Sequence, residues 1–173
     1  MIVAVAVAAA GCGSSKPKED PTTQWANSLC TSATTWEDSI TSAANSVKNG
    51  GFSQSSLRKA SNDIQDATKT LVSDVRKLGR PPTKAGAQEQ QAIDNLQNEI
   101  DDGVQKIQDA TNNASGATGM LNAVSTVTAT IATIGDEIKA TYKQLQSIDT
   151  TGELQTAFQQ ADACKSFTKT TTS

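Results

Sequence analysis

Apolar residues recur every three or four positions through nearly the whole chain, and clusters of glycine, asparagine and proline interrupt them at intervals. A period near 3.6 residues places an apolar stripe along one side of a helix, whereas a half-buried strand needs strict alternation. The first such segment, about 22–48, carries Trp25, Leu29, Ala33, Trp36, Ile40, Ala43 and Val47. Thr22 or Thr23 is the expected cap, and Asn49-Gly50-Gly51 the expected stop. The second, about 53–78, starts at Ser53, carries Leu57, Ala60, Ile64, Ala67, Leu71, Val75 and Leu78, and ends at Gly79-Arg80-Pro81-Pro82. The third, about 84–113, carries Ile93, Leu96, Ile100, Val104, Ile107 and Ala110, with Asp102 and Lys106 spaced for an i, i+4 ion pair. The fourth, about 119–148, carries Val124, Val127, Ile131, Ile134, Ile138, Tyr142, Leu145 and Ile148.

Within the fourth segment, Val127–Ile134 is rich in β-branched residues, which favour strands. The apolar repeat runs in phase on both sides of it and no turn signal intervenes, so it is read as helix, weakened or bent at Gly135. Thr150-Thr151-Gly152-Glu153 has the spacing of a capping box, with Thr150 as cap. It predicts a short fifth helix reaching about residue 167, with Leu154, Phe158 and Ala161 inward. The expected fold is all-α: an antiparallel four-helix bundle with a short fifth C-terminal helix, closed by a disulfide.

The N-terminus reads as an address. Ile2 to Ala10 form an unbroken apolar run followed by Gly11 and Cys12. Nine residues are too few to span a bilayer, which takes about 20, and suit the apolar core of a secretory signal. Ala9-Ala10-Gly11-Cys12 resembles a bacterial lipobox, although Ala9 stands where leucine is commoner. That resemblance implies cleavage before Cys12 and a diacylglycerol on its sulfur. The competing reading is an ordinary secretion signal, or a buried N-terminal helix, with Cys12 incidental. No Lys or Arg precedes the apolar run, which predicts a true start upstream or a trimmed chain. The expected organisation is a signal peptide over 1–11, a lipidated cysteine and tether over 12–23, a helical domain over 24–167 and a frayed tail over 168–173. The tether, with Lys16, Pro17, Lys18, Glu19, Asp20 and Pro21, is too polar to build a core.

Export would place Cys30 and Cys164 in an oxidising compartment, where an even pair is usually bonded. A redox or metal-binding pair is the alternative, but there is no Cys-x-x-Cys spacing and no histidine. To bring the two cysteines together, the fifth helix must lie across the base of the bundle, beside the start of the first. A straight five-helix array would put them at opposite ends.

The chemistry legible in the sequence is sparse. With no histidine, every imidazole mechanism and the commonest metal ligand are missing. No catalytic residue, cofactor or metal is expected. A net charge of −3 argues against nucleic-acid binding. The densest carboxylates, Glu99, Asp101, Asp102, Asp136 and Glu137, flank apolar positions and read as a solvated face. Trp25 and Trp36 lie three helical turns apart on one face and read as core, with an aromatic ligand platform the alternative. Met120 is the only methionine past the start, so haem ligation is not expected.

The Trp25-x-x-x-Leu29-Cys30 opening, the Leu78-Gly79-Arg80-Pro81-Pro82-Thr83 turn and the late Ala163-Cys164, together with the lipobox, resemble small secreted lipoproteins of actinobacterial type. The resemblance implies a location on the extracytoplasmic face of the membrane, through the lipid on Cys12, and no particular activity. The expected role is non-enzymatic binding or scaffolding of an envelope protein or polysaccharide. The alternative is a small-ligand or lipid-binding module, with a pocket between helices near Gly103 or Gly135. Long apolar repeats would also allow pairing between chains, which leaves the oligomeric state open.

Overall fold

The computed structural model describes residues 20–50 and 53–165. It contains α1 (Pro21–Gly50), α2 (Gln54–Leu78), α3 (Gly86–Asn112), α4 (Gly116–Ile148) and α5 (Glu153–Gln160). No strand occurs among the described residues. The β-branched run Val127–Ile134 is continuous helix, because its inward side chains bury only on a helical spacing: Thr130, Ile134, Ile138, Thr141 and Leu145.

Two caps differ from expectation. α1 is capped by Asp20, whose carboxylate accepts from the backbone N–H of Thr22 (3.0 Å) and Thr23 (3.2 Å). Pro21 takes the first helical position, where a missing N–H costs nothing. Thr22 and Thr23 are themselves buried. The Thr150–Glu153 box is also absent. Asp149 instead accepts from the backbone N–H of Leu154 (2.6 Å), Gln155 (3.3 Å) and Thr151 (3.2 Å), and from the Thr151 hydroxyl (2.7 Å). Gly152, at φ +74°, makes the tight reversal that aims the start of α5 at that carboxylate. The Ser53 cap forms as expected, receiving Ser56 N–H at 3.2 Å. Asp102 and Lys106 form no ion pair among those observed; Asp101 pairs with Arg76 on α2 at 2.8 Å.

Successive helices pack on one another, α1 on α2, α2 on α3 and α3 on α4, and α5 packs chiefly on α1. α5 is shorter than expected. It ends at Ala161, which turns to an extended conformation (ψ 119°), and residues 162–165 form a separate helical turn. No glycine or proline signals that break. It is made by tertiary contact: Ala161 is buried, and the Ala163 N–H donates to Asn27 Oδ1 of α1 at 3.0 Å. The turn delivers Cys164 to Cys30 with Cα atoms 5.0 Å apart and the sulfurs at bonding distance. The four-plus-one arrangement and the cysteine pairing therefore occur together.

The core is uneven along the bundle. The end holding the N-terminus of α1 is filled by Trp25, Trp36, Leu71, Ile93, Ile100, Leu145, Leu154 and Phe158. Trp25 meets Phe158 edge-on at 6.4 Å, and Tyr142 lies 4.7 Å from the same ring. Each indole is also satisfied: Trp25 Nε1–H donates to the Gly79 carbonyl and Trp36 Nε1–H to Thr68 Oγ1, both at 3.0 Å. Both tryptophans are thus core, not a ligand platform. The opposite end holds a small cluster of Ala43, Ala60, Ile64 and Ile107. Nothing on α4 before Thr130 is buried, and Leu121 is 72% exposed. By length and composition α4 could cross a membrane, with a mean hydropathy of 1.2 in its most apolar window. Only 11% of that window is buried.

Candidate ligand cavity

The thin core leaves a cavity of about 240 Å³ at the end of the bundle away from Asp20. Its walls come from four helices: Ile40 and Val47 on α1, Leu57 and Ile64 on α2, Thr111 on α3, and Val127 and Ile131 on α4. It forms there because the buried cluster at this end has only Ile64 and Ile107 as large side chains beside Ala43 and Ala60, among the described residues. Ala44, Ala60, Ala114 and Ala123 all line it. Alanine removes little area from water and fills little volume, so the helices meet at their ends with space between them.

The interior wall is electrically quiet. The hydroxyls of Ser61 and Thr111 bond to each other across α2 and α3, and Thr111 Oγ1 also donates to the Ile107 carbonyl at 2.8 Å. Neither hydroxyl is left asking for a ligand. α4 contributes no charge, since none occurs between Ala110 and Gly135. Among the described residues the single charged one at the lining is Arg58, which is exposed. Such a cavity favours an apolar group and disfavours bulk water, which would find few partners inside.

The apolar cavity lies away from Gly103 and Gly135, where the sequence placed it; Gly103 instead lines an open groove between α3 and α4 that also carries Glu99, Lys106 and Glu137. At Gly103 an added Cβ would lie 2.8 Å from Ile134 Cδ1 and 3.3 Å from Thr130 Cγ2. That glycine allows close contact between α3 and α4. At Gly135 a Cβ would meet nothing within 4 Å, and the position is half-exposed surface. The signal available in the sequence was the alanine enrichment at the far end of α1 and α2 and the early part of α4.

The other candidate residues fall as follows. Cys12 lies outside the described residues. Cys30 and Cys164 are together and buried. Glu99, Asp102 and Asp136 are exposed, and Asp101 and Glu137 half-buried, so these carboxylates form a solvated face. No group of His, Cys, Asp and Glu that could hold a metal occurs among the described residues.

One buried acid was missed. Glu89 on α3 is 0% exposed; its Oε2 accepts from the Thr83 hydroxyl, and its Oε1 has no hydrogen-bond partner. Burial raises its pKa above the usual carboxylate value, the Thr83 hydrogen bond opposes this, and the charges of Asp149 and Glu153 push it further up. Asp149 behaves oppositely. Burial works to raise it, but the hydrogen bonds from Thr151, Leu154 and Gln155 outweigh that and hold it low. The Glu89 contribution is therefore full below its unfolded pKa near 4.5 and is lost as pH rises through the folded value. That of Asp149 is present above 3.8 and lost as pH falls through its lowered folded value. Glu89→Gln, an uncharged isostere, should match the wild type near pH 4 and exceed it in stability at pH 7. Urea denaturation of both proteins at the two pH values checks this; a constant difference would assign Glu89 an unshifted titration.

Comparison with protein-family models, with curated proteins and with solved structures finds no match. The reading of function therefore rests on this chain's own geometry.

Proposed function

We propose that this protein is a non-enzymatic binding module of the cell envelope, anchored through a diacylglycerol on Cys12, that receives an apolar small molecule in the cavity. The observation that carries the reading is the cavity itself: it is largely apolar, the hydroxyls of Ser61 and Thr111 in its wall bond to each other, and it lies between four helices. The tether would leave from Asp20, so the cavity would sit at the far end of a bundle about 45 Å long, judged from the 30 residues of α1. The ligand would then meet the protein away from the membrane that holds it.

A neutral apolar fluorophore, N-phenyl-1-naphthylamine, tests the reading. Saturable binding by the wild-type protein is expected, weakened at least about tenfold in Ala123→Phe, which fills the cavity from a half-buried wall position. A thermal melt of the variant verifies that it folds. Absence of saturable binding by the wild type, or equal binding by the folded variant, overturns the cavity reading. The intact mass of protein taken from its own membranes tests the anchor. An unmodified Cys12 with the leader retained would overturn it.

The second reading, scaffolding of an envelope protein or polysaccharide, is favoured by the outward face of α4. The stretch before Thr130 has no fully buried residue, and Leu121 on it is 72% exposed. An exposed apolar surface of that kind suits a protein partner better than a polysaccharide. Crosslinking in cells from Leu121 separates this reading from the first.

A further inference from the structure

We infer that the ligand of this cavity is a single-chain amphiphile with an anionic head, carboxylate or phosphate, whose chain fills the apolar interior and whose head meets Arg58. The inference rests on the cavity reading above and adds to it the chemistry of the occupant. Three observations point the same way. The inner walls are apolar and the Ser61 and Thr111 hydroxyls there bond to each other, so the interior holds hydrocarbon. The cavity is open to solvent, since Ala44, Gln54, Arg58 and Thr128 line it and are exposed. A ligand can therefore keep a polar end in water while its chain is inside. Finally, the charge at the lining is of one sign. Among the described residues Arg58 is the only charged one at the lining, no acid lines the cavity, and Arg58 makes no ion pair among those observed.

Its position on α2 explains why it is free. The neighbouring Lys59 reaches along the helix to Asp63 at 2.7 Å, an i, i+4 pair that engages that acid. The α4 wall facing the cavity carries no charge at all. An arginine guanidinium presents paired N–H donors that match the two oxygens of a carboxylate or phosphate. A cationic head would be repelled there, and a neutral one would gain little.

Each methylene buried contributes about fourfold in affinity, so binding should strengthen steeply along a series of alkanoates until the apolar walls are covered.

Isothermal titration with octanoate, octyl phosphate, octanol and octyltrimethylammonium tests the inference directly, using the intact soluble domain. Octanoate and octyl phosphate should bind more tightly than octanol, and the ammonium most weakly. Arg58→Gln should weaken the two anions about fivefold, leave octanol unchanged, and erase the dependence of anion binding on salt. Arg58 is exposed and outside the core, so this variant should fold normally. If octanoate alone binds, the head is a free carboxylic acid; if octyl phosphate alone binds, it is a phospholipid-type head; either supports an anionic amphiphile. Equal binding of octanol and octanoate, or an unchanged anion preference in Arg58→Gln, overturns the inference and leaves the cavity reading standing. Failure of all four to bind, together with failure of the neutral fluorophore, overturns both.

Discussion

Reduction of Cys30–Cys164 should destabilise the domain by about 4–5 kcal/mol, the largest single loss expected for this protein. The two residues are 134 positions apart, so the bridge closes almost the whole folded chain and removes much of the freedom of the unfolded state. A small domain is typically stable by only 5–15 kcal/mol, so the bridge carries a large share. The loss should also be local. α5 packs chiefly on α1, and the turn carrying Cys164 is held there by Asn27 and the bridge. Urea denaturation with and without a thiol reductant measures the effect, and the Cys30→Ser, Cys164→Ser double variant repeats it without reductant. A loss below about 1 kcal/mol in both would mean that the unfolded chain is already compact enough to gain little freedom when the bridge opens.

Trp36→Ala should cost about 3–5 kcal/mol. The ring is buried between α1 and α2 in the large cluster, and its Nε1–H is satisfied by Thr68 Oγ1. Thr68 in turn donates to the Ile64 carbonyl at 2.7 Å, so the hydroxyl is held in place to accept. Thr68→Val keeps the volume and strands the indole N–H, and should cost about 1–3 kcal/mol. In a double-mutant cycle the two losses should fall short of additivity, because removing the indole removes the need for its acceptor. Strict additivity would mean that the hydrogen bond contributes nothing. The contrast along the bundle is the useful part. The end that would lose most from a truncation holds the large cluster, and the end with the apolar cavity holds only Ala43, Ala60, Ile64 and Ile107 as its buried cluster.

Much of the fold was legible in the residues because helix period and helix punctuation are local. Ser53 caps α2 from one residue away, Gly79 ends it, and the apolar repeat through Val127–Ile134 overrides the strand preference of its β-branched members. The caps at Asp20 and Asp149 were misplaced by a few residues for a geometrical reason. Both carboxylates lie just before the helix proper, and Asp149 reaches Leu154 only because Gly152 adopts a left-handed conformation that spacing alone does not reveal. The break at Ala161 has no local signal at all.

The sequence by itself determined the all-helical class, the order and approximate bounds of the helices, and which two cysteines would be neighbours in a four-plus-one bundle. Those follow from periodicity, capping chemistry and the constraint of a cross-link. Only the tertiary structure decided where space remained. Gly103 admits the close approach of Ile134 and lines only an open, partly charged groove, whereas alanines on separate helices converge on the apolar cavity at one end. The burial of Glu89 against Asp149 and Glu153 belongs to the same class. A cavity or a buried charge is a property of which side chains from distant segments face one point, and packing, unlike period, has no signature in a single stretch of chain.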